Sequence, residues 1–429
     1  MSKKHLRFVA EYLLATQNEI AVDTSVYALC GIKPSEFGYA PRPSRLLRFS
    51  NQKMALRYLV HLISFFWKFG GRVLFLGMEC VRFGLHLRKL DRINLKPGQE
   101  FGLAFSSRAV DLITRDVLGK EVDWITFPWA TGSLKGKTSY EVFSLLVRKD
   151  LLTALRLSIV ATQKINSRAR TADWSLQGYT AFRWFAVRIA LEKLHARKLY
   201  TAEHYDRWAM LADGVMSSQR RSLPNDSIEH VGLVVLQHGI LASLDVTGAD
   251  KAFVLPFRLP CRLRSVIALF VFDEVGRYIF ENSILSPLSR LRRENIMSYQ
   301  PLIKLVEMSD ALKINILFVG HPICESLHVK IYQDVSSCFE VGFYYKPHPA
   351  NPCTDSVRAQ KWHVIEEKST FPLVDFVVSY PSTLVGEYAA MGIPAVLHPL
   401  DLKVEQHESF TFTIKDKLKN LACEKKRTQ

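Results

Sequence analysis

Ser379-Tyr-Pro-Ser-Thr-Leu-Val-Gly-Glu-Tyr-Ala-Ala-Met-Gly-Ile-Pro394 is the stretch whose reading decides the fold. It begins where the apolar run Phe376–Ser379 ends, and that run reads as a short strand. Pro381 stops the strand, and Ser382 is a good N-cap for a helix over Thr383–Met391. Gly392 supplies the left-handed residue past the helix end, and Pro394 prevents continuation. Strand, tight turn and capped helix make one β-α unit. A helix opening with Ser-Thr offers backbone N–H groups, two hydroxyls and the positive end of its dipole, the donors a phosphate needs. Glu387 falls on the same face one turn later, where a carboxylate repels phosphate but accepts both hydroxyls of a ribose.

Working outward, Val231–Leu236, Val266–Phe272, Ile314–Val319, Phe339–Tyr345 and Ala395–Leu397 are further short apolar runs. Most are separated by enough chain for a crossover helix, which predicts a parallel sheet covered on both faces. Ligands of such sheets bind beyond the carboxyl ends of the strands. The polar motifs lie there: Gln237-His238-Gly239, Gly320-His321-Pro322 and Lys346-Pro347-His348-Pro349. His348 precedes Ser382 by one β-α unit, so the two strand ends should be neighbours. An imidazole and the Lys346 ammonium facing the Ser382-Thr383 helix start would hold a phosphate from two sides.

The other half has a different character. Of the 57 Lys+Arg and 41 Asp+Glu, 35 basic and 20 acidic residues precede His230, leaving 22 and 21 after it. We therefore expect a basic N-terminal domain over residues 1–229, facing an anionic acceptor or membrane, and a C-terminal nucleotide-binding domain over residues 230–429. Arg220, Arg221, Pro224 and Asn225 read as the linker. Arg42, Arg45 and Arg48 among Pro41 and Pro43 mark a basic surface segment. Short strands are expected at Phe101–Phe105 and Trp124–Phe127 around a helix at 109–118, with helices over 139–166 and 179–216. Arg57, His61, Ser64, Lys68 and Arg72 line one face of a helix that carries Leu59, Leu62, Ile63, Phe66 and Trp67 opposite, with a break at Gly70-Gly71. Such a helix can lie in an anionic membrane interface, or pack on its own domain while its cations snorkel. The seven cysteines form no Cys-x-x-Cys pair, which argues against a disulfide framework and a structural zinc site. Glu11 interrupts the N-terminal apolar run, no long uninterrupted apolar stretch follows, and the chain reads as cytoplasmic.

His230 to about Pro399 resembles the nucleotide-binding half of GT-B-fold glycosyltransferases, whose donor signature is similar to the run Glu387–Pro394. The pairing of Lys346-Pro-His-Pro with a downstream Ser-Thr resembles the bacterial sialyltransferases and polysialyltransferases, and the capsule transferases that use CMP-Kdo. It is similar, more distantly, to the CDP-glycerol polymerases. The resemblance implies an α/β, GT-B-like chain of two Rossmann-like domains facing a cleft. It also implies a glycosyltransferase moving a sialic-acid-like or Kdo-like sugar from a CMP-sugar onto a surface glycan or lipid-linked acceptor. His321, Lys346, His348, Ser382, Thr383 and Glu387 would bind the nucleotide. The alternatives are a UDP-sugar or CDP-glycerol-type transferase and a non-catalytic nucleotide- or glycan-binding protein.

The sequence departs from the sialyltransferase pattern in one respect: it has no acidic Asp/Glu-Asp/Glu-Gly triplet. Glu203, Asp206 and Asp213 are the nearest acidic candidates for the base, and Asp206 joins His348 and His238 as a catalytic candidate. There is no Asp-x-Asp, so no metal and no cofactor are called for. The cations and the helix dipole would replace a metal in stabilising the leaving phosphate. The charge alone would admit nucleic acid, but no nucleic-acid-binding signature is present and none is expected as partner.

Overall fold

The computed structural model describes residues 1–428 apart from 47–48, 50–51, 106, 115–121, 131–133, 135, 225–229, 242–254, 290, 301–302, 309–313, 349–350 and 368–369. Arg48, Asn225, Pro349 and residues 115–118 of the expected helix lie outside the described residues. The chain is α/β and contains two parallel sheets flanked by helices. The first sheet is built from β1 (Glu100–Ala104), β2 (Asp123–Thr126), β3 (Ser139–Glu141), β4 (Lys198–Thr201), β5 (Gly232–Leu236), β6 (Val266–Val271) and β7 (Ile296–Ser298). Their spatial order is β3-β2-β1-β4-β5-β6-β7, and every neighbouring pair is parallel. The chain winds outward from β1 in one direction and from β4 in the other. That is the doubly wound Rossmann order, with its switch point between β1 and β4.

A short ribbon pairs β8 (Leu305–Val306) with β12 (Phe371–Pro372). The second sheet contains β9 (Asn315–Val319), β10 (Gly342–Lys346), β11 (His363–Val364), β13 (Phe376–Ser379) and β14 (Ala395–Leu397). Its order is β11-β10-β9-β13-β14, again parallel throughout, with the switch point between β9 and β13. Successive residues alternate between two cores, as strand geometry requires. Ile316, Phe318, Phe376 and Val378 pack with the helices Glu325–Ser336 and His407–Thr428, while Leu317, Val319 and Val377 pack with Leu384 and Tyr388 of the helix Thr383–Ala390. Both faces are covered, so the strands read as continuous apolar runs.

The division of the chain at 229/230 does not survive. β5, β6 and β7 complete the first sheet, and β5 is paired to β4 and β6 at its centre. The chain changes sheets between Ser298 and Asn315. The composition shift near residue 229 marks only the end of a helix-rich stretch. Three strands of the first sheet are absent from the sequence reading: β3, β4 and β7 are only three, four and three residues long, and β3 and β4 interrupt otherwise helical periodicity. Helices occupy Arg148–Ser167, Ala181–Leu194 and Arg207–Arg220 around them, and His195 ends the second in a left-handed conformation (φ 45°). The carboxyl end of β5 meets the start of the helix Thr383–Ala390, where Thr383 Oγ1 accepts from the Ile240 amide at 3.1 Å. The two Rossmann-like units therefore meet where these strand ends lie.

Candidate functional site

At the switch point of the second sheet, β9 runs into Gly320-His321 and the neighbouring β10 into Pro347-His348. Gly320 is required there, because a Cβ would lie 2.2 Å from the Tyr345 hydroxyl. The His321 and His348 rings are 5.3 Å apart and nearly perpendicular, and His321 is 5.5 Å from the Tyr380 ring. His321 Nδ1 accepts from the Ile323 amide at 3.2 Å, which leaves the proton on Nε2. The Asn351 side-chain amide, 3.3 Å from His348 Nδ1, fixes the same tautomer when it donates. Burial, with His348 beside it, presses the His321 pKa down to about 3. Burial and then the Arg45 guanidinium lower that of His348. Both rings are thus neutral at pH 7 and present Nε2–H.

On the other side of the switch point, β13 ends at Tyr380-Pro381 and the helix Thr383–Ala390 begins. Ser382 has the extended N-cap backbone (φ −133°, ψ 157°) but its side chain makes no cap bond. Its Oγ pairs instead with Ser379 Oγ at 3.2 Å. The first-turn N–H groups are consequently not spent on a Ser382 side chain, and Thr383 Oγ1 can still donate while accepting from Ile240. The expected helix end also holds: Gly392 is left-handed (φ 78°) just past Ala390. Glu387 is buried on the second turn.

Lys346 is corrected. Its ammonium donates to the carbonyls of Glu367 and Thr370, 2.8 Å each, and lies over the Phe371 ring. It is buried, and it ties the loop before β12 to β10 rather than facing an anion. Arg45 is the cation that acts on His348. It comes from the segment Pro43–Leu46, which the sequence marks only as basic surface.

The first unit contributes acid–base groups at the ends of β4 and β5. Asp206 caps the helix Arg207–Arg220, with Oδ1 accepting from the amides of Trp208 (2.9 Å) and Ala209 (2.7 Å). Burial first, then the Glu203 and Glu19 charges, push the Asp206 pKa well up. Burial and the Glu19 charge also raise Glu203, opposed by the hydrogen bond with Asp206 and by the Arg42 charge. Both carboxyls are thus held toward the protonated form, Asp206 further than Glu203, and the pair can share a proton. Asp213 is removed from contention, since Oδ1 holds the Arg264 and Ser265 amides at 2.7 Å each, fastening a helix to the start of β6. His238 Nδ1–H donates to the Ala202 carbonyl, and its backbone amide is 3.1 Å from Nε2 of buried His204. The His204 ring is 4.4 Å from that of His238. Gln237 shapes this loop, accepting from the Phe272 amide (3.0 Å) and donating to the Gly239 carbonyl (3.0 Å).

Among the described residues, one group has the donor types for a metal. Cys324, His328 and His398 are buried with candidate ligand atoms within 4.8 Å of one another. His398 Nδ1 is 2.7 Å from the Pro399 carbonyl, and its Nε2 is 2.8 Å from His328 Nε2. Donation from Nδ1 to that carbonyl leaves His398 Nε2 to accept from His328, a neutral core contact in which His328 Nδ1 is buried without a hydrogen-bond partner among the described residues.

No protein-family model and no curated protein matches the sequence. Among solved structures, the chain is similar to MurG of Acinetobacter baumannii, with a TM-score of 0.30 and 11% identity over 74% of this chain and 82% of that one.

Proposed function

We propose that the cleft binds a nucleotide-activated sugar and transfers the sugar to the hydroxyl of a cell-surface glycan or lipid-linked acceptor. The observation that best supports this is the opposition of unlike groups at two facing switch points. On the second unit, two neutral imidazoles and a helix start present N–H and O–H donors. On the first, a carboxyl pair and His238 offer a base. The donor phosphate would lie against His321, His348, Ser382 and Thr383, with Arg45 supplying the charge first assigned to Lys346 and Glu387 taking the ribose. Glu203 would accept the acceptor's proton as the acceptor oxygen bonds to the anomeric carbon and the bond from that carbon to the phosphate oxygen breaks. The electron pair leaves on the phosphate, where fixed donors are worth most in the transition state. A CMP-sugar is the preferred donor, because the His-Pro and Ser-Thr pairing resembles enzymes of that class; a UDP-sugar is the alternative.

Thermal denaturation with CMP, CDP, UDP and GDP tests the reading. CMP should stabilise the protein by about 2.7 kcal/mol at a hundredfold excess over Kd. Stabilisation by UDP or GDP alone would replace the donor class. No response to any of the four would remove the nucleotide site.

A further inference from the structure

The helices Lys53–Phe66 and Arg72–Leu87, joined by a π turn at Trp67–Gly71, are turned inside out. Val60, Ser64, Trp67, Leu76, Glu79 and Phe83 are the buried positions, recurring at three- and four-residue intervals within each helix, so that both lie along the body. The stripe expected to face water is largely the one that packs: Arg57 pairs with Glu36 at 2.9 Å and Lys68 with Asp173 at 3.8 Å. The apolar side faces outward instead. Phe69, Leu74 and Tyr58 are 76%, 73% and 72% exposed, and Leu62, Phe66 and Met78 continue the face. Gly70 (φ 131°) permits the kink that keeps both helices on one surface.

By length and composition alone, Met54–Leu87 could cross a bilayer. Its tethers and its buried positions oppose that. The buried positions and the ion pairs of Arg57, Lys68 and Glu79 with the body are spread over the whole segment, so neither half can leave the surface without breaking them. What remains is a long apolar face lying flat.

We propose that this face docks in the interface of an anionic lipid bilayer. The charge distribution selects the occupant. From Gln52 to Leu90 the sequence holds one acidic residue, Glu79, against the cations Lys53, Arg57, Lys68, Arg72, Arg82, Arg88 and Lys89. Glu79 is buried and bound through both oxygens to Arg183, at 2.6 and 3.0 Å. Arg82 is exposed on the second helix, and Arg88 and Lys89 are exposed just past its end. A second copy of the chain would set this cationic rim against itself. An anionic headgroup layer complements the rim while the acyl boundary takes the apolar stripe. The root of the first helix shares its packing with the segment carrying Arg45: Leu46 and Leu56 lie against Val60 and Trp67. Docking therefore brings the mouth of the cleft to the membrane surface.

The docking does not depend on the donor reading, because vesicle binding needs no nucleotide. The full chain is floated with vesicles of phosphatidylcholine alone and of phosphatidylcholine mixed with phosphatidylglycerol, beside Phe69→Ser/Leu74→Ser and Arg82→Glu/Arg88→Glu. Circular dichroism and the nucleotide-induced thermal shift of each variant report the fold and the cleft separately. The wild type should float with the mixed vesicles and far less with the neutral ones. The serine variant should lose at least about tenfold of the binding, and the glutamate variant its preference for anionic lipid. Equal flotation of wild type and serine variant would overturn the proposal. So would a wild type that ignores both vesicles, or one that forms a dimer which the serine variant breaks.

Discussion

On the proposed reading, Lys346 and His348, two residues apart, have opposite tasks. The Lys346 ammonium is buried between two carbonyls, so Lys346→Ala should cost about 2–3 kcal/mol of stability, by the worth of charged hydrogen bonds, with little change in nucleotide Kd. His348→Ala should do the reverse: a normal melting temperature and roughly ten- to hundredfold slower transfer. Denaturant titration and turnover on the same two proteins separate these roles. His321 gives a pH test. Its folded pKa of about 3 lies below the ordinary 6.5, so the unfolded chain takes the proton first. Its contribution to stability is whole above pH 6.5 and is lost as pH falls toward 3, by about 1.4 kcal/mol per unit. Asp23, whose pKa burial raises to about 6, works in the opposite sense, losing its contribution as pH rises through that value. The comparison must therefore be a difference: between pH 6 and 5 the urea midpoint should fall more steeply for the wild type than for His321→Asn. Parallel slopes would mean that the imidazole titrates normally.

At the scale of elements, the helix Arg207–Arg220 and the end of β4 share Asp206. Asparagine is as good an N-cap as aspartate and can still donate to Glu203. Asp206→Asn should thus keep most of the stability and most of the turnover. Glu203→Gln should fold equally well and lose about two to four orders of magnitude in kcat, the usual share of a general base. If Asp206→Asn is the inactive variant and Glu203→Gln the active one, the base has been assigned to the wrong carboxyl. The β-α unit around Ser382 was legible in the sequence because local rules fix it: a proline stop, an N-cap position and a left-handed glycine. The acid–base cluster was only half legible. Glu203 and Asp206 could be named, but β4, which carries them to the cleft, is four residues long and hidden between two helices. Arg45 acts on His348 across some three hundred residues of chain, and no periodicity or spacing encodes that.

Over the whole molecule, the sequence reading found two Rossmann-like units but cut them in the wrong place. Composition follows local structure, and the first unit spends its first two hundred residues largely on helices before finishing its sheet with β5, β6 and β7. Strand pairing is a long-range property that composition does not register. The corrected boundary makes its own prediction. A fragment of residues 1–229 leaves β4 as a bare edge and removes Leu233, Val234, Val235 and Leu236, none more than 3% exposed. At about 1.5–3 kcal/mol for each buried aliphatic side chain, the loss is comparable to the stability of an entire domain. The exposed parallel edge would also invite aggregation. Residues 1–229 should accumulate as insoluble protein, whereas residues 1–300, which retain the whole sheet, should be soluble and unfold in one cooperative transition followed by circular dichroism. A soluble, cooperatively folding 1–229 fragment would restore the division at 229/230 and detach β5 from the first unit.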